Sequence, residues 1–163
     1  MITAWRLVKS RHAAAAFDGE GARLYGGRWN SPGTRVAYAS DSIALAALEV
    51  LAHLQSTAVL QAYSLVSLSF PDESVELLRT ASLPARWRRF PSPSENQAVG
   101  DRWVASGRSL ILQVPSAIIP SAANFLINPS HPEFSKVVIA RPERFAFDPR
   151  LLSRGSPGKR VSG

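Results

Sequence analysis

Residues 40–55, SDSIALAALEVLAHLQ, leave the chain the fewest conformational options. Ile43, Ala47, Val50 and Leu54 recur at three- and four-residue steps, the spacing of one apolar stripe on a helix. Ser40, Asp41 or Ser42 can cap its first turn. A striped helix needs an apolar partner, and the rest of the chain offers strands. AWRLV at 4–8, RVAYAS at 35–40, AVLQAYSLVSLSF at 58–70, SLILQVP at 109–115 and KVVIA at 136–140 read as extended, with a further short strand toward FAFD. One more helix is expected from Ser94, with Gln97 completing a capping box and Gly107 closing it. The remaining segments read as connections: a short helix or turn at 12–17, glycine-rich chain at 18–27, a serine- and proline-rich stretch at 81–97, and a proline-marked loop from 116 to 134. Few helices and several strands, without regular alternation, predict a mixed α/β domain of the α+β kind. A chain of 163 residues suits one compact domain.

Nineteen basic residues face twelve acidic ones, a net charge of +7. Such a surface favours anionic partners, whether nucleic acid, nucleotide or acidic protein. No helix-turn-helix pattern, zinc-finger spacing or RGG run accompanies it, so a non-enzymatic nucleic-acid-binding module is a minor alternative. The absence of cysteine excludes disulfides and thiolate chemistry. The N-terminal segment is broken by Arg6, Lys9 and Arg11, unlike a signal peptide, and no window is long and apolar enough to span a membrane. A cytoplasmic location is expected.

Arg28 stands out among candidate functional residues because Gly26, Gly27 and Trp29 flank it. Glycines let backbone approach a ligand, and a guanidinium offers a rigid fork of donors for phosphate. The alternative is a surface arginine beside a turn. No phosphate-binding GxxxxGK[ST] or GxGxxG motif occurs. Glu49 interrupts an otherwise apolar helix, either marking its wet side, paired with His53 one turn on, or standing as a carboxylate in a cleft. Tyr38 fits a core position with its hydroxyl at the surface. Ser116 follows a buried strand but lacks the setting of a hydrolase nucleophile. Asn124, Asn128 and His131 fall in the proline-marked loop, where such side chains stabilise turns. The three histidines lie too far apart to suggest a metal site.

In order along the chain, WRL near the start, GGRWN, VAYAS, LAALEVL, VPSAIIP, NFLINPSHPEF and FAFDPRLL resemble the RES-domain family, over residues 4–151. The resemblance implies a single RES domain at 1–151 followed by a basic, flexible tail at 152–163. It implies a fold similar to ADP-ribosyltransferases and the diphtheria-toxin catalytic domain. The implied function is that of the toxin half of a RES–Xre toxin–antitoxin system, which depletes NAD+ by cleaving the nicotinamide–ribose bond, by hydrolysis or by phosphorolysis. Protein ADP-ribosylation is the alternative chemistry. NAD+ is then a substrate rather than a retained cofactor, and inorganic phosphate is an alternative co-substrate to water. The matching positions assign Arg28, Glu49 and Ser116 as catalytic, with Ser130 a competing serine. Arg28, Tyr38, Glu49, Ser116 and Asn30 would contact NAD+, and the NPSHP loop is a weaker candidate for the pocket. The implied partner is an Xre-family antitoxin covering the active site, in a complex that can contain a toxin homodimer and reaches promoter DNA through the antitoxin. No membrane and no metal is implied.

Overall fold

The computed structural model describes residues 1–54 and 62–151. The strands are β1 (Ile2–Lys9), β2 (Ala37–Ser40), β3 (Tyr63–Phe70), β4 (Val75–Leu77), β5 (Ile111–Pro115), β6 (Ala123–Ile127), β7 (Val138–Ile139) and β8 (Glu143–Phe145). The α-helices are α1 (Glu20–Tyr25), α2 (Ile43–His53) and α3 (Ser94–Ser106). The strands form one sheet in the order β4-β5-β6-β2-β1-β3-β7, with β8 also paired to β3. The β4–β5 pair is parallel and the others are antiparallel.

Strand alternation sorts the side chains into two faces. Ala4, Val66, Leu68, Phe70, Ala37, Ala39, Ile111, Phe125 and Ile127 build the core on one face, covered by Ala16 and Phe17, which follow a 3-10 turn at Ser10–Ala15. The intervening residues point the other way and split into two clusters. Leu112, Val114 and Leu126 pack with Trp29 and with Trp103 of α3. Leu7 and Tyr63 pack with Ala46 of α2 and with Phe147. Both long helices therefore lie on one face, as the α+β expectation requires. The central strands β6 and β2 run beneath the gap between them.

Several local expectations are corrected. The segment at 18–27 is not merely connecting chain, because α1 forms within it. The Asp18 side chain accepts from the Glu20 amide, and Glu20 grips both Arg23 and Arg35. The Asn124 region is a strand rather than a loop: β6 fills the slot between β5 and β2, and this pairing overrides its weak local preference. The apolar stripe of α2 is rotated from the expected one. Leu45 and Ala46 are its buried residues, Ala47 and Val50 sit beside them, and Ile43 is exposed. A helix this rich in alanine and leucine carries too little contrast for its period to fix its orientation. Ser42 is the N-cap, accepting from the Leu45 amide. At α3 the capping box does not form: Pro93 is the N-cap, and Gln97 is used elsewhere. Gly107 closes α3 in the left-handed region, at φ 58°. Part of the expected 58–70 strand and the whole 152–163 tail lie outside the described residues.

Candidate active site

Glu49 follows Leu45 by four residues and Ala46 by three, so it shares their inward face. Its Oε1 accepts from the Asn124 amide Nδ2 at 2.6 Å and from the Ser116 hydroxyl at 3.2 Å. Asn124 is oriented in turn by Ser40, whose hydroxyl donates to Oδ1 at 2.8 Å across the β2–β6 pair. The start of α2 is tied to the same strand. Asp41 Oδ2 accepts from the Ala123 amide at 2.7 Å, and the Asp41 amide donates to the Ala123 carbonyl at 3.0 Å. These bonds continue the β2–β6 ladder into the helix cap and seat Glu49 over Asn124. His53 does not pair with the Glu49 carboxylate; its Nδ1 bonds the Glu49 backbone carbonyl.

Ser116 is fully buried. Its hydroxyl accepts from the amides of Ile118 and Ile119 while donating to Glu49. Its proton is thus committed to the carboxylate, which suits a hydrogen-bonding role and not a nucleophilic one. The competing serine, Ser130, is exposed in the turn beyond β6, where its amide donates to Asn128. Asn124 and Asn128 are separated by about 13 Å of strand. His131 likewise caps the 3-10 turn at Pro132–Lys136. The structure brings Ser116 to Glu49 and leaves the NPSHP loop at the other end of the strand.

The arginine loop is held from beneath. Asn30 has no exposed surface, and its Nδ2 serves the carbonyls of Ala22, Ser31 and Thr34. The Tyr38 hydroxyl donates to Asn30 Oδ1 at 2.7 Å and accepts from the Trp29 amide at 3.1 Å. Burial pushes the Tyr38 phenol well above its ordinary value, so it stays protonated and keeps donating. Asn30 lies under the loop as its staple. Tyr38→Phe is expected to cost about 1–3 kcal/mol of stability, because it leaves the buried Asn30 oxygen and the Trp29 amide without this partner. Denaturant unfolding checks this, and an unchanged midpoint would contradict the staple.

Helix α3 shapes the same loop from the side. Gln97 Nε2 donates to the Gly27 carbonyl at 3.1 Å, and Asp101 Oδ1 accepts from the Ser31 amide at 2.9 Å. Burial works against the charge of Asp101, but hydrogen bonds from Ser31 and Thr34 outweigh it and hold the carboxyl below its usual range. Between these two contacts, Gly100 lies against the Trp29 carbonyl. Arg28 projects from the loop, half-buried, and its Nη1 donates to the carbonyls of Trp87 at 2.8 Å and Arg89 at 2.9 Å. Burial lowers the Arg28 pKa, and the nearby negative charge of Glu49 opposes that shift. Among the described residues Arg28 forms no ion pair. A fixed cation and a fixed carboxylate thus sense each other without neutralising each other by contact.

Two concavities lie nearby, and neither is lined by Arg28 or Glu49. One of about 220 Å³ touches Pro115 and Ala123, the chain neighbours of Ser116 and Asn124. A larger one of about 700 Å³ lies along β4 and α3. The polar constellation marks the site better than cavity size does. Sequence reads Asn124 as a turn-stabilising side chain of the proline-marked loop, and it does not mark Ser40, Gln97 or Asp101 as site residues. Gln97 fits a capping box by its spacing from Ser94, Asp101 carries no signal of its own, and the Ser40–Asn124 contact links residues 84 positions apart.

The family model described as RES domain matches residues 3–148. The chain is 38% identical over 148 residues to "Toxin Res" of Yersinia enterocolitica, covering 90% of this chain and 97% of that protein. It is 36% identical over 155 residues to the "Prs ADP-ribosylating toxin" of Sphingobium sp., covering 92% and 96%. Its fold is similar to a chain of the M. tuberculosis MbcT–MbcA toxin–antitoxin complex, with a TM-score of 0.72 at 24% identity over 89% of this chain and 84% of that one. With the arginine loop, the helix glutamate and the buried serine assembled around β6, and with matches spanning nearly its whole length, the chain belongs to the RES-domain family.

Proposed function

We propose that the chain is a toxin that destroys NAD+ by breaking its nicotinamide–ribose bond. The observation that carries this reading is a helix carboxylate, Glu49, locked by Asn124 and Ser116 within electrostatic reach of the half-buried Arg28. Cleavage of that bond sends its electron pair to nicotinamide, which leaves neutral, and develops positive charge on the ribose. A carboxylate already held in place stabilises that charge without reorganising, and it can bind a ribose hydroxyl. Arg28 would orient the pyrophosphate or an incoming phosphate through charge-assisted donors. Tyr38 would pack against the bound nucleotide, and Ser116 would hold Glu49 toward the ribose. Water attack yields ADP-ribose and releases a proton; phosphate attack yields the 1″-phosphate. The likeness of this arrangement to ADP-ribosyltransferases and the diphtheria-toxin catalytic domain is part of the proposal.

Arg28→Lys is expected to lower kcat/KM for NAD+ about tenfold or more, because an ammonium cannot bond two carbonyls and still present a fork. Full turnover and affinity in that variant would rule out recognition by the guanidinium. The reaction class is tested by mass analysis after incubation with NAD+, with and without phosphate. ADP-ribose indicates hydrolysis and its 1″-phosphate indicates phosphorolysis. A second reading, transfer of ADP-ribose to a protein, is favoured by the 36% identity to a relative named for that chemistry. Added mass on a protein target, with no free ADP-ribose product, would select it.

The proposed partner is an Xre-family antitoxin that covers the site and carries the complex to promoter DNA. Two exposed aromatic residues suit such a cover. Tyr25 is 84% exposed three residues before Arg28, and Phe90 is 88% exposed directly after Arg89. Within the described residues no helix is long and apolar enough to cross a membrane.

A further inference from the structure

We infer that Asn96 is a positioning residue for Arg28, acting through the irregular chain that joins β4 to α3; the catalytic part of this inference rests on the function proposed above. The carbonyls that receive Arg28 Nη1 belong to Trp87 and Arg89, in a stretch that neither sheet nor helix fixes. Something else must hold them if the guanidinium is to stay in place. The Trp87 ring stacks on Trp29 with centroids 6.2 Å apart. Asn96 then supplies the polar lock. Its Nδ2 donates to the Trp87 carbonyl at 2.7 Å and to the Ser92 hydroxyl at 3.2 Å. Ser92 Oγ donates onward to the Arg28 carbonyl at 3.1 Å.

These contacts close a ring. The tip of the Arg28 side chain and the amide of Asn96 meet on one carbonyl oxygen, and the Arg28 backbone returns to Asn96 through Ser92. One buried amide thereby fixes both ends of the same arginine. Among the described residues, only Nη1 of Arg28 donates a hydrogen bond, so the fixed fork keeps Nε and Nη2 for a ligand.

The remaining atom of the amide indicates what the residue is for. Asn96 has no exposed surface, and among the described residues its Oδ1 has no hydrogen-bond partner. A buried orphan acceptor weakens a fold. An apolar side chain of similar size would fill the space without it. Flipping the amide would only set Oδ1 against the Trp87 carbonyl, acceptor to acceptor. What the asparagine adds is its Nδ2, and both bonds from it land on the groups that hold Arg28.

The test uses Asn96→Leu and Ser92→Ala, each alone and combined with Arg28→Lys. Asn96→Leu is expected to lower kcat/KM for NAD+ about tenfold with its thermal midpoint unchanged or raised, a split that a merely structural amide would not give. In the Arg28→Lys background the same change is expected to cost less than about twofold, because the group it positions is already gone. An equal loss in both backgrounds, or full turnover in Asn96→Leu, overturns the inference. If Asn96→Leu does not fold, the half-buried Ser92→Ala carries the same cycle with an expected loss of about threefold. A readout independent of activity is the NMR signature of the Arg28 guanidinium. Separate Nη1 and Nη2 signals are expected in the parent chain, merging in both variants as rotation is freed. If the parent chain is inactive on NAD+ but its separate signals merge in both variants, the functional reading is refuted and the positioning role is kept. Signals that stay separate in both variants refute the positioning role.

Discussion

Glu49→Gln is expected to lower NAD+ turnover by about 10²–10³-fold with little change in stability. The reason lies in how the carboxylate is held. Oε1 alone accepts from both Asn124 and Ser116. A glutamine can turn its own oxygen to the same two donors, so shape and hydrogen bonding survive and only the charge is lost. That charge is what a cationic ribose needs, and it is the charge that Arg28 senses. Glu49→Asp is the complementary change: it keeps the charge but draws it back by one methylene from Asn124 and Ser116. Steady-state NAD+ consumption and a thermal melt check the pair. Turnover within about twofold of the parent in Glu49→Gln would remove the carboxylate from the mechanism, since 1.4 kcal/mol corresponds to about a factor of ten.

Gly100→Ala separates local propensity from tertiary geometry, because the two predict opposite signs. In a helix interior, alanine is favoured over glycine by about 1 kcal/mol. Here a Cβ on residue 100 would stand 1.7 Å from the Trp29 backbone carbonyl oxygen and 2.9 Å from its carbon. Neither atom is the end of a flexible side chain, so α3 and the arginine loop must part. A loss of about 3 kcal/mol or more is expected, which for a domain of this size lowers Tm by about 10 °C. Since Trp29 adjoins Arg28, turnover should fall as well. Gly21→Ala is the control. It lies within α1, and an added Cβ there meets nothing within 4 Å, so a neutral or slightly higher Tm is expected. A Gly100→Ala chain as stable as the parent would mean that α3 does not pack on the loop as described.

The same glycine illustrates what was legible in the sequence. As a helix residue it reads as a weak point, and only the approach of Trp29 explains it. The strands with strong branched and aromatic content, β1, β3 and β5, were readable because local preference and tertiary role agree there. β6 was not, since ANFLI between prolines becomes a strand through its neighbours on both sides. For the candidate site, Arg28, Glu49 and Ser116 stand in the sequence as an ordered set of motifs, and the chemistry proposed for them comes from resemblance to a family. The residues that position them were hidden for a physical reason. Asn124 is linked to Glu49 across 75 positions, and Gln97 to Gly27 across 70, distances over which no helical or strand period carries information. Gln97 misleads because a glutamine three residues into a helix fits a cap as well as a cross-brace. The resemblance makes Asn30 a ligand contact, but its amide is spent on three loop carbonyls.

The most direct test of the central claim is the release of free nicotinamide from NAD+ by the purified chain. Nicotinamide is expected in one-to-one proportion to the NAD+ consumed, with ADP-ribose or its 1″-phosphate as the other product, and its release is expected to be nearly lost in Glu49→Gln. NAD+ left intact by a folded parent chain, in the presence and absence of phosphate and of candidate protein acceptors, would contradict it.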